Sequence, residues 1–124
     1  MRRAILGLLF LSVAFPAAAQ EVAECYSIGA HHPFGNDISA ARYVRFNGTS
    51  MVLTGQSGRH DLPVWRLACA PTDKGLFCSG HRRGLRVNVT VNGWQMKEMV
   101  WGRAGYYDER FHAVYNCDRA IGQP

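Results

Sequence analysis

The side chains able to act as catalysts or ligands are few and scattered. Ser57, His60 and Asp61 place a hydroxyl, an imidazole and a carboxylate within five residues. A Ser-His-Asp triad is recognised by spatial roles, however, and groups this close in sequence rarely reach its geometry. Glu98 with His112 or Asp108 would make an acid–base pair if a cleft brought them together. A buried structural carboxylate paired with an arginine such as Arg42 is the reading the sequence favours for Glu98. His31 and His32 are adjacent, with His60, His81 and His112 elsewhere. A metal needs three or four ligands converging within about 2 Å, and neighbouring side chains on an extended chain point apart, so these are read as loop or surface histidines. No phosphate-binding glycine loop is present. The sequence therefore assigns no catalytic residue, no metal site and no cofactor.

The densest charged stretch is Gly80-His81-Arg82-Arg83-Gly84-Leu85-Arg86. Clustered guanidiniums match phosphate or carboxylate oxygens bidentately. His81, Arg82, Arg83 and Arg86 are thus the candidate ligand-binding residues, for an anionic envelope component or another exported protein. The alternative is a solvated turn that keeps the protein soluble. Aromatic residues (Tyr26, Phe34, Trp94, Trp101, Tyr106 and Tyr107) lie near predicted turns and strand ends. Interleaved with arginines they could stack on bases or sugars, but in so small a protein most are expected in the core. Asn47-Gly48-Thr49 and Asn88-Val89-Thr90 match the glycosylation sequon and are read as chance.

The elements that must position these groups begin with a leader. Met1-Arg2-Arg3, an apolar run from Ala4 to Phe15 and Pro16-Ala17-Ala18-Ala19 form the pattern of a cleaved secretory signal peptide over residues 1–19. The apolar run is shorter than the ~20 residues a membrane-spanning helix needs, so no membrane span is expected after cleavage. Gln20 and Glu21 follow the cleavage site, where lipid attachment would need a cysteine. Losing Arg2 and Arg3 lowers the formal net charge from +5 to +3. The expected location is the periplasm or the exterior, which argues against nucleic acid as a partner. The remaining 20–124 segment, about 105 residues, is one domain in length.

Cys25, Cys69, Cys78 and Cys117 all lie in that segment, and an even number in a short exported chain implies a disulfide framework. No C-x-x-C spacing suggests zinc. Of the three pairings, Cys69–Cys78 suits a hairpin around Thr72 to Gly75, and Cys25–Cys117 follows by elimination, tying the first strand to the last.

No helical period is sustained, and strands recur between turn signals. One predicted hairpin runs from Leu85 to Trp101 around Asn92-Gly93. With those two residues as the turn, Val91 faces Trp94, Val89 faces Met96 and Val87 faces Glu98. Val87, Val89, Val91, Trp94 and Met96 are then buried, Arg86, Asn88 and Thr90 exposed, and Glu98 lands on an apolar face. A second hairpin, Arg42 to Thr54 around Asn47-Gly48, pairs Phe46 with Thr49, Val44 with Met51 and Arg42 with Leu53 on the face expected to enter the core. The closing strand, Phe111 to Cys117, points Phe111, Ala113, Tyr115 and Cys117 one way. Gly29 to Ala41, Gly55 to Pro63 and Gly102 to Arg110 are expected to be irregular, with one helical turn at most over Asp37 to Ala41. The fold expected is all-β: an antiparallel barrel or sandwich of about seven or eight strands stapled by two disulfides.

In outline the chain resembles the small periplasmic inhibitors of c-type lysozyme: an exported β-barrel, a cysteine on the first strand, and Asn116-Cys117 shortly before a Gln-Pro end. In that family a loop carrying Ser-Gly and a nearby aromatic enters the lysozyme cleft. Gln56-Ser57-Gly58-Arg59-His60 followed by Trp65 is similar in order, with Asp61 near the place of the expected aromatic. A basic inhibitor facing a basic lysozyme is electrostatically unfavourable. The leading expectation is a non-enzymatic binding module using its loops. The alternatives are a lysozyme-inhibitor-like protein, or a small hydrolase or lyase working through Glu98 in the barrel mouth.

Overall fold

Alternation of side chains decides the architecture. Along Arg42–Phe46 and Leu85–Asn92 every second residue is buried, the period of a strand with one face on a core and one in water. The computed structural model describes residues 20–31, 40–102 and 109–122. Among them are nine strands: β1 (Glu21–His31), β2 (Ala41–Phe46), β3 (Ser50–Ser57), β4 (His60–Asp61), β5 (Trp65–Pro71), β6 (Gly75–Arg82), β7 (Leu85–Asn92), β8 (Gln95–Trp101) and β9 (Glu109–Cys117). The predicted leader lies outside the described residues.

Eight of the strands form a closed antiparallel barrel in simple up-and-down order. β1 pairs with both β2 and β9, which closes the ring, and β4 adds a short strand beside β3. Closure removes the sheet edges, and an interior of eight strands is just wide enough to be filled by side chains. Val44, Leu53, Val89, Met96 and Tyr115 fill it. Both expected disulfides are present, Cys25–Cys117 and Cys69–Cys78. Each joins residues directly opposite one another on paired strands. Two disulfides are consistent with an oxidising, extracytoplasmic location. Among the described residues no helix is long and apolar enough to cross a membrane.

Both Asn-Gly hairpins form, each with its register moved by two residues. Val91 pairs with Met96 and Val89 with Glu98, so Gly93 and Trp94 are the turn. Gly93 has φ +63° and Trp94 does not have positive φ, the pattern of a type II′ turn with glycine at its first central position. Trp94, expected in the core, is therefore 63% exposed. In the other hairpin Phe46 pairs with Met51 and Val44 with Leu53. Here Asn47 caps the turn: its Oδ1 accepts from the backbone N–H of Thr49 and Ser50 at 3.0 and 2.8 Å, the local bond that suits Asn to turn entry. A shift of two leaves the side chains outside the turns on their expected faces, whereas a shift of one would have exchanged them; Trp94 and Thr49, moved into or beside the turns, are exposed. Asn88 is half-buried, contrary to expectation.

Segments expected to be irregular are partly strand, because distant partners supply their backbone bonds. Ala30 and His31 pair with Ala113 and His112. Ala41 belongs to β2 and cannot end a helical turn, and Ala40 is bonded to Ser27; Asp37 to Ser39 lie outside the described residues. Gly55 to Ser57 continue β3, and His60 and Asp61 pair back onto Ser57 and Gln56. The barrel's two ends differ. One carries the three tight turns β2–β3, β5–β6 and β7–β8, and is closed by Ile121, 1% exposed, and by Gly122, whose N–H donates to Glu21. A Cβ at Gly122 would meet Leu76 at 2.7 Å, so the tail packs against the barrel wall. The opposite end is the mouth. The described β3–β5 and β6–β7 connections lie there, as do the register shifts at Ser27/Gly29 and Val100/Trp101; such bulges favour barrel rims.

Candidate functional site

The floor of the mouth is a buried ion pair. Arg42, the second residue of β2, and Glu98, in the middle of β8, both point inward and are 1% and 0% exposed. Arg42 Nε donates to Glu98 Oε1 at 3.0 Å and Nη2 to Oε2 at 2.7 Å, a bidentate fork. Two further donors complete the carboxylate. Trp65 Nε1, on the first residue of β5, donates to Oε2, and the Tyr115 hydroxyl, on β9, donates to Oε1, each at 2.7 Å. Arg42 Nη1 donates to the Pro63 carbonyl at 2.7 Å. Gly55 makes room for this arrangement: a Cβ there would clash with the Ala41 carbonyl oxygen and reach the Arg42 side chain at 3.0 Å.

Four donors on two carboxylate oxygens compensate a desolvation that would otherwise cost several kcal/mol per ion. Tyr115 answers to the same environment. Burial first, then the Glu98 charge and the bond to it, push the phenol well above its ordinary value of 10.0, against a smaller opposing effect of Arg42. It stays protonated and remains a donor.

Above this floor is a cavity of about 180 Å³ walled by Leu62, Pro63, Trp65, Leu85, Val100 and Phe111. It shares Leu62, Pro63, Trp65 and Leu85 with an outer groove of about 320 Å³, to which Asp61, Arg82 and Arg83 contribute. The β6–β7 hairpin places the last two. Arg82 pairs with Leu85 around a turn of Arg83 and Gly84, whose φ values of 51° and 82° are those of a type I′ turn. Arg83 is the one non-glycine residue with positive φ among those described.

Comparison with protein-family models, with curated proteins and with solved structures found no match for the chain.

The expected basic run divides between two surfaces. Arg82 and Arg83 line the mouth groove, and Arg82 Nη1 donates to the Val64 carbonyl at 2.9 Å. His81 and Arg86 face each other across β6 and β7 on the outer wall, where Arg66 joins His81 and Arg82 in a separate groove. The remaining candidates separate further. Met99 and His112 are paired between inward neighbours, so His112 lies on the outer side of the sheet that carries Glu98 inside. The barrel wall therefore stands between these two groups, and they cannot act as an acid–base pair. Asp108 lies outside the described residues. Ser57 is paired with His60, and Asp61 with Gln56, in the exposed β3–β4 hairpin. Among the described residues no three His, Cys, Asp or Glu side chains come together as a metal site would require.

Alternation already put Arg42 and Glu98 on inward faces. It also put Tyr115 on one face with Ala113, without deciding that this face is the inner one. The meeting of Arg42, Glu98, Trp65 and Tyr115 at one level of the barrel depends on the registers of four separate strand pairs. No local signal carries that.

Proposed function

We propose that the chain is an exported, non-enzymatic binding domain of the periplasm or cell envelope, and that the barrel mouth is its binding end. The observation that carries this reading is the asymmetry of the barrel. Among the described residues the β3–β5 connection, both bulges, the apolar cavity and the paired arginines Arg82 and Arg83 gather at one end, while the other is shut by tight turns and Ile121. Recognition concentrates on loops held by a rigid scaffold, and two disulfides and closed pairing make this scaffold rigid. Export is supported by the leader pattern and by the oxidised cysteines.

Glu98 supports binding over catalysis. Both of its oxygens are engaged by four donors, and its nearest imidazole in sequence, His112, is on the far side of the wall. Pull-down from an envelope extract tests the reading. The wild-type domain should recover a specific partner that Arg82→Ala/Arg83→Ala loses and that Trp94→Ala, at the opposite end, keeps. Equal recovery by both variants would place binding elsewhere. N-terminal sequencing of the exported protein should begin near Gln20.

The β3–β4 hairpin favours a second reading as an inhibitor of c-type lysozyme. Ser57 and His60 pair around an exposed turn of Gly58, φ +62°, and Arg59, which sets a Ser-Gly tip at the mouth rim. Titrating lysozyme with the domain decides it: undiminished lytic activity at excess domain removes this reading.

A further inference from the structure

We infer that the mouth holds one anionic amphiphile, its apolar tail inside the cavity above Glu98 and its carboxylate or phosphate head between Arg82 and Arg83. This rests on reading the mouth as the binding end, and adds what is bound there.

The floor decides which end of a ligand enters first. Every polar group there already has a partner: the Glu98 oxygens take two donors each, and Arg42, Trp65 and Tyr115 direct their polar groups at Glu98 or Pro63. A polar group pushed inward would lose its water without gaining a bond, at a net cost. The walls reward the opposite. Leu62, Leu85 and Phe111 are only partly buried although they pack against the core, so an apolar chain would cover surface that the fold leaves open. A dry apolar cavity of about 150 Å³ is enough to take benzene, and this one, at about 180 Å³, fits a single short chain or ring.

The entrance decides the head. Arg82 and Arg83 are exposed and line the groove that continues the cavity, facing one carboxylate, Asp61. Among the described lining residues of the groove, two guanidiniums stand against one acid, a net positive charge. Among the described residues Arg82 is anchored through Nη1, on the Val64 carbonyl, which leaves its Nη2 edge to meet an anion. Arg83 is held in a left-handed turn that is unfavourable for a residue with a Cβ. An anion-binding role would account for an arginine there, where asparagine or glycine would be easier.

The test uses the mature domain with both disulfides formed, titrated with octanoate, octyl phosphate, octanol and inorganic phosphate. Affinity is measured by calorimetry, and the indole N–H signals of Trp65 and Trp94 are followed by NMR. Octanoate or octyl phosphate should shift the Trp65 signal and leave Trp94 in place, and the better of the two identifies the head as carboxylate or phosphate. Octanol should bind about tenfold more weakly or worse, the scale of a lost charge-assisted hydrogen bond. Arg82→Ala/Arg83→Ala should remove that advantage while thermal unfolding shows the barrel intact. The inference is overturned if neither anion moves Trp65, if octanol binds as well as the anions, or if inorganic phosphate alone matches octyl phosphate. If the amphiphiles fail while the same double variant still loses the pulled-down partner, the mouth remains the binding end and only the ligand class is wrong. If the amphiphiles bind and partner recovery is unchanged, the partner docks elsewhere.

Discussion

Arg42 and Glu98, 56 residues apart in sequence, meet inside the barrel through two parallel hydrogen bonds of 3.0 and 2.7 Å. Removing either partner leaves the other charge buried and alone. Arg42→Ala or Glu98→Ala should each destabilise the domain by about 3–5 kcal/mol, read from urea unfolding. The joint replacement Arg42→Met/Glu98→Leu should recover most of that loss. It will not recover all of it, because Trp65 and Tyr115 would lose their acceptor.

Tyr115 makes stability sensitive to alkali. Its phenol ionises at its ordinary value in the unfolded chain but well above it in the barrel, so the folded state holds the proton more tightly. This contribution is complete below about pH 10 and falls as pH rises beyond that, because loss of the proton favours the unfolded chain. Unfolding midpoints measured from about pH 8 to 11.5 should drop above pH 10. Tyr115→Phe should be less stable at neutral pH by about 1.5–3 kcal/mol, the worth of a bond to a charged group, with a shallower alkaline decline.

The two disulfides should differ in worth. Cys25 and Cys117 are 92 residues apart, Cys69 and Cys78 only 9. In the chain-entropy model these loops correspond to about 4.6 and 2.6 kcal/mol. Replacing Cys25 and Cys117 together with serine should therefore lower the unfolding midpoint more than replacing Cys69 and Cys78. Equal losses would show that the unfolded chain keeps β1 near β9.

Arg83→Asn should stabilise the barrel. Asn-Gly is the favoured pair for a type I′ turn, and relieving the positive φ of Arg83 is worth about 0.5–1 kcal/mol. Calorimetric melting should show the gain, and amphiphile affinity should fall in the same variant.

How much of this was legible in the chain varies with the range of the interaction. Strand alternation marked Val87, Val89, Val91 and Met96 as core and Arg42 and Glu98 as inward polar residues, and all six are buried. Spacing around Thr72 to Gly75 set Cys69 opposite Cys78, because four residues suffice for that turn. The two-residue offset of both Asn-Gly hairpins was not legible. Asn47 uses its side chain to cap the turn and Gly93 takes the first central position, and both outcomes preserve the same faces. Face assignment follows from a period of two within one strand, so the sequence by itself determined which residues enter the core. The height at which they meet is a sum of registers around a closed ring. Only the tertiary structure could set Arg42, Trp65, Glu98 and Tyr115 at one level, put His112 behind the wall, and bring Arg82 and Arg83 to the rim above them.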